Sequence, residues 1–187
     1  MRLSQRENAC GGARLRLIVV AALALGVLAS VGAVAWQMRP SAAVQRQQAA
    51  LLDGIGRRSP ARIRRVVAED YADRWGFSRD DLVEAMVDAG SQFIALVVTA
   101  HDERLAIDGP RATFACRLVA GGKPVGPVGH EVMRQVNRTE EPFVFRWERR
   151  GFLPTGWRLV GFDNAGFPDD LHGYKPGDFR RALREDL

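Results

Sequence analysis

The stretch FVFRWER, residues 143–149, decides the fold class because its side chains alternate in character. Phe143, Phe145 and Trp147 are large aromatic residues, whereas the charged Arg146 and Glu148 occupy positions of the other parity. Successive side chains of a β-strand point to opposite faces of a sheet. The stretch therefore predicts a strand with one buried aromatic face, as is typical of an antiparallel sheet that is covered on one side only.

Strands of the same period are predicted on both sides of this stretch. Residues 112–118 alternate as Ala112, Phe114, Cys116 and Leu118, and residues 157–162 form the last strand. An earlier strand over residues 97–107, if it is continuous, places one set on an inward face: Val97, Thr99, His101, Glu103, Leu105 and Ile107. A β-bulge at residues 101–103 is the alternative, and it would turn that triplet to solvent.

Helical patterns precede the strands. A first helix opens at Pro40 and ends near Asp53, and Ser59-Pro60 supplies the N-cap and first residue of a second helix. That second helix carries Ile63, Val67 and Tyr71 on one face, and Ser78 with Asp81 forms a capping-box pattern for a third helix. Further along the chain we predict a loop at 121–129, a short strand at 131–136 and a last helix from Asp178.

This order of elements predicts the architecture of the domain. Helices come first and strands follow, without alternating βαβ units. The fold class is therefore α+β, with about three helices packed on one face of a curved antiparallel sheet.

An apolar segment precedes this domain. Leu17 to Trp36 contains 20 residues without a charge, about the length that a helix needs to cross ~30 Å of hydrocarbon. Four arginines lie before it, so the positive-inside rule predicts a basic cytoplasmic N-terminus at 1–16, a transmembrane anchor at 17–36 and an extracytoplasmic domain at 37–187. A cleaved signal peptide is the alternative, because Ala33-Val34-Ala35 matches a small-x-small cleavage site. Both interpretations export the domain.

The charge of the chain argues against a nucleic-acid partner. Residues 1–39 hold five arginines against Glu7, a net charge of +4, so only about +1 of the total +5 belongs to the domain. The arginines of the domain form no extended basic stripe. We therefore predict no nucleic-acid binding.

The cysteines and histidines indicate neither a disulfide nor a metal site. A membrane crossing would separate Cys10 from Cys116, and Cys116 is predicted to pack as a small apolar residue. Asp169, Asp170 and His172 match no specific metal-site spacing and are interpreted as part of a surface loop. We predict no cofactor and no metal.

Four segments together resemble the nuclear-transport-factor-2-like (SnoaL-like) superfamily. They are AALLDGIGRRSPARIRRVVAEDYADRWGFSRDDLVEAM, IDGPRATFACRLV, FVFRWERRG and GWRLVGFDN, and the resemblance covers roughly residues 41–165. It implies a cone in which helices close over a bent sheet and leave a pocket. It also implies two functional classes, because the superfamily hosts isomerases, dehydratases and cyclases as well as non-catalytic binding and assembly domains.

The candidate site residues follow from the predicted cone. Asp70 and Tyr71 could pair a general base with a hydrogen-bond donor, and His101 could move a proton near neutral pH. The structural alternatives are a helix end for Asp70, a packed ring for Tyr71 and a solvent-facing His101. The residues expected to line the pocket are Tyr71, Trp75, His101, Phe114, Cys116, Phe145 and Trp147.

The leading functional hypothesis is a non-catalytic binding or assembly domain, anchored by a single pass in the inner (cytoplasmic) membrane of a bacterial cell envelope. Its expected partners are a second copy, another envelope protein or a small apolar ligand. The alternative is a small-molecule isomerase, dehydratase or cyclase. Geometry separates the two: His101 and Asp70 in one cavity favour the enzyme, whereas an interior filled by Phe114, Phe145 and Trp147 favours binding.

The membrane hypothesis predicts where the C-terminus lies. A reporter that is active only outside the cytoplasm should be active when it is fused after Leu187, because residues 17–36 carry the domain across the bilayer. An inactive reporter, with a chain that fractionates as soluble, would contradict this assignment.

Overall fold

The computed structural model describes residues 39–151 and 153–185, together with Gly26. The chain divides at Arg39, and the residues from Pro40 onward form one compact unit. Apart from Gly26, the predicted N-terminal segments 1–16 and 17–36 lie outside the described residues. None of the helices among the described residues combines the length and the apolar character that a bilayer crossing requires.

Helices and strands follow the predicted α+β order, with one additional helix. The elements are α1 (Pro40–Gly56), α2 (Pro60–Val66), α3 (Arg79–Ser91), β1 (Phe93–Asp108), β2 (Arg111–Pro124), α4 (Gly126–Arg138), β3 (Phe143–Arg149), β4 (Trp157–Asp163) and α5 (Asp178–Glu185). Short 3-10 turns lie at Pro154–Gly156 and Leu171–Gly173. The strands form an antiparallel sheet in the order β1-β2-β3-β4. The α+β prediction is confirmed.

The core is the aromatic face of this sheet, as the alternation of residues 143–149 predicts. Phe114, Phe145, Trp147 and Trp157 are each 1% exposed. The rings of Phe114 and Phe145 lie 6.5 Å apart in an edge-to-face arrangement, and Phe145 also packs against Phe162 at 5.2 Å. Helix α1 covers this face with Val44 and Leu51, both fully buried.

A β-bulge breaks the predicted inward face of β1. The register with β2 shifts between His101 and Arg104, and Asp102 has a positive φ of 55°. Before the bulge the outward positions include Val97, which is 61% exposed, and the partly buried ones include Val98. The continuous-strand prediction was therefore wrong, and the bulge alternative, with its exposed triplet, is confirmed.

Tertiary pairing also shortens the predicted second helix. Helix α2 ends at Val66, and Val67 takes an extended conformation that bridges Leu159 of β4 in parallel. The Ala68 amide donates to the Leu159 carbonyl at 2.9 Å, and the Ala72 amide donates to Val160 at 3.3 Å. The predicted helical face through Tyr71 was therefore wrong, because this segment covers the outer edge of β4 instead.

Helix α4 replaces part of the predicted loop at 121–129 and the predicted strand at 131–136. It packs against the part of β2 that extends beyond β3. There the Asn137 side chain donates to the Ala120 carbonyl at 2.9 Å and accepts from the Ala120 amide at 2.8 Å. One side-chain amide thus takes the place of a neighbouring strand. The 3.6-residue signal was present in the spacing of Val128, Val132 and Val136.

Asp88 of α3 holds the C-terminal segment. Its carboxylate is fully buried and accepts hydrogen bonds from the Tyr174 hydroxyl (2.8 Å) and the amides of Gly177 (3.0 Å), Phe179 (3.1 Å) and Arg180 (2.9 Å). The Arg180 guanidinium adds a contact at 3.2 Å. A buried carboxylate with this many donors fixes the position of α5 on α3.

Asp88→Asn should release that segment. The substituted amide would turn an NH₂ group toward buried N–H donors, so we expect the free energy of unfolding to fall by about 2–4 kcal/mol. Urea unfolding and the rate of proteolysis between residues 174 and 185 measure the effect. Glu84→Gln is the matched control because Glu84 contacts Arg180 from an exposed position, and it should cost less than about 1 kcal/mol. Equal effects of the two variants would contradict this role of Asp88.

Candidate functional site

A groove of about 580 Å³ lies between α1 and β1. This volume falls within the range of roughly 300–1,000 Å³ that is common for ligand pockets. One wall is α1, the other is β1, and Phe114 of β2 contributes at the base. The lining residues are Gln45, Gln48, Ala49, Leu52, Asp53, Gly56, Arg57, Leu96, Val97, Val98, Thr99, Ala100, Glu103 and Phe114.

The helical period explains how α1 serves both the core and the groove. Val44 and Leu51 point into the aromatic core. Gln45, Ala49 and Leu52 recur at spacings of three and four, so they share the adjoining face of the helix. That face lines the groove. The groove therefore follows from the way in which α1 covers the sheet.

Gln48 is the unusual residue of this site. It is 2% exposed, and neither Nε2 nor Oε1 of its side chain has a hydrogen-bond partner among the described residues. A buried polar group without a partner costs about 1–3 kcal/mol of stability. Because Gln48 also lines the groove, a bound group that accepts one hydrogen bond and donates another would satisfy it.

Charges lie at the rim of the groove. Asp53 accepts from Arg57 at 2.7 Å and from Arg62 at 2.9 Å, all with exposed side chains. The hydrogen bond from Arg57 lowers the pKa of the Asp53 carboxyl, and the same contact raises the pKa of Arg57. Glu103 adds a carboxylate from the bulge of β1 and is exposed. The rim therefore carries both signs of charge, and the neutral Gln48 amide lies deeper.

The predicted pair Asp70 and Tyr71 is divided between two environments. Asp70 is exposed and accepts from Arg150 at 2.7 Å. Tyr71 is 4% exposed, and its hydroxyl donates to Asp73 Oδ2 at 2.8 Å. Burial, followed by the charge of Asp73, raises the pKa of Tyr71 far above its usual value. Asp73 also accepts from the amides of Trp75 and Phe77, so this corner organises a loop.

His101 lies away from the interior. It is exposed, its Nε2 lies 3.1 Å from Thr99 Oγ1, and its register partner is the exposed Arg117. Asp70 lies within the segment that covers β4, whereas His101 belongs to β1 at the opposite edge of the sheet. Three strand spacings of about 4.8 Å place those edges roughly 14 Å apart. The structure does not bring the two residues together.

The seven predicted pocket residues, all of which the structure describes, are placed mainly in the core. Phe114 lines the groove; Cys116, Phe145 and Trp147 are each 1% exposed within the sheet core. Burial raises the pKa of the Cys116 thiol to about 12, which keeps it neutral. Trp75 donates from Nε1 to the Pro168 carbonyl at 2.9 Å, and the Arg74 guanidinium lies 4.8 Å from its ring centre.

Sequence reasoning missed Gln48, although a signal for it exists. Gln48 lies four residues after Val44 and four before Leu52, so it occupies the apolar stripe of α1. A polar residue in such a stripe marks a position at which packing alone does not explain the residue type. For metals, no group of three or more histidine, cysteine or acidic residues suited to an ion occurs within the described part of the chain.

Comparison with known proteins supports the fold. No family model and no curated protein matches the chain. A single-residue variant of Rv3472 from Mycobacterium tuberculosis, a protein of unknown function, is 16% identical with a TM-score of 0.51; the match covers 81% of this chain and 93% of that one. An NTF2-like protein from Cytophaga hutchinsonii is 11% identical with a TM-score of 0.46, over 65% and 93% of the two chains.

Two further similar structures are an enzyme and a longer chain. LinA-type3, a hexachlorocyclohexane dehydrochlorinase from Novosphingobium barchaimii, is 16% identical with a TM-score of 0.46, over 66% of this chain and 84% of that one. The chain spans 40% of Bd1075 from Bdellovibrio bacteriovorus. The fold-level resemblance to the nuclear-transport-factor-2-like superfamily is confirmed. Rv3472, whose TM-score is 0.51, is a protein of unknown function, and at 16% identity the likeness shows the fold alone.

Gln48→Met tests whether the buried amide is unsatisfied in the free protein. Methionine has a similar volume and no amide, so we expect the free energy of unfolding to rise by about 1 kcal/mol. Urea unfolding of the ligand-free chain measures the change. Gln47→Met, on the same helix but outside the groove, should change stability by less than about 0.5 kcal/mol. A destabilised Gln48→Met variant would show that the amide already has a partner.

Proposed function

We propose that this chain is a non-catalytic binding or assembly domain whose ligand occupies the groove between α1 and β1. The observation that carries the proposal is the position of Gln48, since this buried amide lines the groove and has no hydrogen-bond partner among the described residues. Binding a group of matching polarity would recover the hydrogen bonds that the free domain lacks. Catalysis by proton transfer would need a titratable group at that depth instead.

The positions of the predicted catalytic residues support binding over catalysis. General acid–base chemistry requires the acting groups to lie within hydrogen-bond reach of one substrate. Asp70 and His101 lie at opposite edges of the sheet, and both are exposed. The sheet interior is filled by Phe114, Phe145 and Trp147, which are each 1% exposed. This arrangement matches the geometry expected for a binding domain.

A proton-transfer enzyme remains the alternative, and one residue favours it. Glu103 lines the same groove as Gln48, so a carboxylate base and an amide donor share one space. An isomerase or dehydratase would use Glu103 to remove a proton while Gln48 donates to the developing oxyanion. Glu103 is exposed, however, so bulk water reaches the carboxylate that would have to act as the base.

The proposed location is the extracytoplasmic side of the inner membrane. This part of the proposal depends on the uncharged run at 17–36 and on the arginines before it. A single-pass anchor would hold the domain close to other envelope proteins. The outward face of β1, where Val97 is 61% exposed, offers a surface for a second copy or such a protein.

Ala49→Trp should abolish ligand retention. Ala49 lines the groove, and an indole there would occupy much of the space between the two walls. We expect native mass spectrometry of the full chain, extracted gently from membranes, to show an added mass that Ala49→Trp loses. Ala50→Trp is the matched control because Ala50 is exposed on α1 outside the groove. An added mass that persists in Ala49→Trp contradicts the proposed site, and a retained molecule that the chain converts chemically supports the enzyme.

A further inference from the structure

The edges of the sheet are not protected equally. Residues 67–72 cover the outer edge of β4 through the bonds of Ala68 and Ala72. Asn137 satisfies Ala120 where β2 extends beyond β3. The remaining edge belongs to β1, which pairs with β2 and with no other strand among the described residues. Unpaired strand edges readily accept another extended chain.

The direction of the β1 backbone groups follows from two close approaches. A Cβ on Gly122 of β2 would lie 2.0 Å from the Ala95 carbonyl oxygen, so that carbonyl points toward β2. A Cβ on Gly56 of α1 would lie 3.0 Å from the Leu96 carbonyl oxygen, so this carbonyl points away from β2. Residues of an antiparallel strand alternate between these two directions. Val98 and Ala100 therefore direct their N–H and C=O groups outward, as Leu96 does.

The accessible part of this edge is short and has defined ends. At one end, Arg58 donates to the Phe93 carbonyl at 2.8 Å and Gly56 approaches Leu96. At the other end, the bulge between His101 and Arg104 interrupts the strand. No hydrogen bond from another described segment reaches the outward groups of Val98 or Ala100. Within the described part of the chain, these two residues therefore offer donors and acceptors without a partner.

The open edge and the groove are one surface. Val98 and Ala100 line the groove from β1, and Ala49 and Leu52 line it from α1. Gln48 lines the same groove, and its amide has a donor and an acceptor without a partner among the described residues, which is the complement of one peptide group. A strand edge that faces a helix across a groove has the geometry in which an extended peptide binds by strand addition.

We propose that the groove binds an extended segment of a partner polypeptide, which adds to β1 as a fifth strand along Val98–Ala100. The segment presents one peptide group to Gln48 and small apolar side chains, at alternate positions, to Ala49 and Leu52. This inference rests on the proposed binding function and names the class of its ligand. A second copy fits the groove less well, because its own β1 edge is flanked by its own α1.

The probe for this inference is a peptide selected from a displayed library of random decapeptides on the full chain. Its fluorescein-labelled synthetic form is titrated by fluorescence polarisation. Two backbone N-methylated versions of the peptide, modified at alternate residues, provide a test that leaves the protein unchanged. Strand addition engages N–H groups of one parity only, so one version should bind at least about tenfold more weakly and the other should bind normally.

Two protein variants locate the contacts. Val98→Pro removes an outward N–H, and proline is tolerated at such an edge position because the bonds to β2 persist. Gln48→Met removes the amide, and Gln47→Met is its control. We expect at least about tenfold weaker binding for Val98→Pro and Gln48→Met, with Gln47→Met unchanged. Far-ultraviolet circular dichroism checks that Val98→Pro is folded, and the methylated peptides decide the question if it is not.

The outcomes separate this inference from the function on which it rests. Loss of binding in Gln48→Met, combined with equal binding of both methylated peptides, would overturn strand addition and retain the groove as a binding site. A library that yields no peptide dependent on Gln48 would overturn the peptide ligand, while the mass-spectrometric comparison of Ala49→Trp with Ala50→Trp would still decide whether the groove binds a small molecule.

Discussion

The burial of one aromatic sheet face is the constraint on which the rest of this structure depends. Phe114, Phe145 and Trp147 project from neighbouring strands and are almost completely shielded from water. Truncating a single buried aromatic side chain typically costs about 3–5 kcal/mol, a large share of the ~5–15 kcal/mol that stabilises a domain. The helices must therefore lie on this face, and α1 does so through Val44 and Leu51. The groove exists because the adjoining face of α1 then faces β1.

The same constraint explains why the edges of the sheet are covered to different extents. Covering one face with helices leaves hydrogen-bonding groups free at both edges of the sheet. The extended segment after α2 covers β4, the Asn137 amide substitutes for a strand beside Ala120, and the bulge near Asp102 interrupts β1. Among the described strands, a short part of β1 combines free backbone groups with a neighbouring groove. The location of the candidate site thus follows from the coverage of the other sheet edges.

Sequence patterns predicted the elements in which a single physical signal dominates. The alternation of Phe143, Phe145 and Trp147 decided the strand, its inward face and the fold class, because burial alone explains those residues. The inward face of β1 was mispredicted since a bulge reverses parity at His101, and no local residue type requires that bulge. Tyr71 was predicted to lie on a helix, whereas the segment around it is not helical and bonds to β4. That strand lies about ninety residues further along the chain, so the local sequence does not signal the pairing.

Gln48 was not predicted as a site residue because its burial depends on how α1 packs on the sheet. A comparison of the buried polar residues shows how Gln48 differs from the others. Among the described residues, four polar side chains are almost fully buried: Gln48, Asp88, Gln92 and Asn164. Asp88, Gln92 and Asn164 have hydrogen-bond partners that fasten one part of the chain to another. Gln48 has none among the described residues, so its amide lowers the stability of the free domain and strengthens no contact within it. Because Gln48 also lines the groove, a ligand that binds there explains its position.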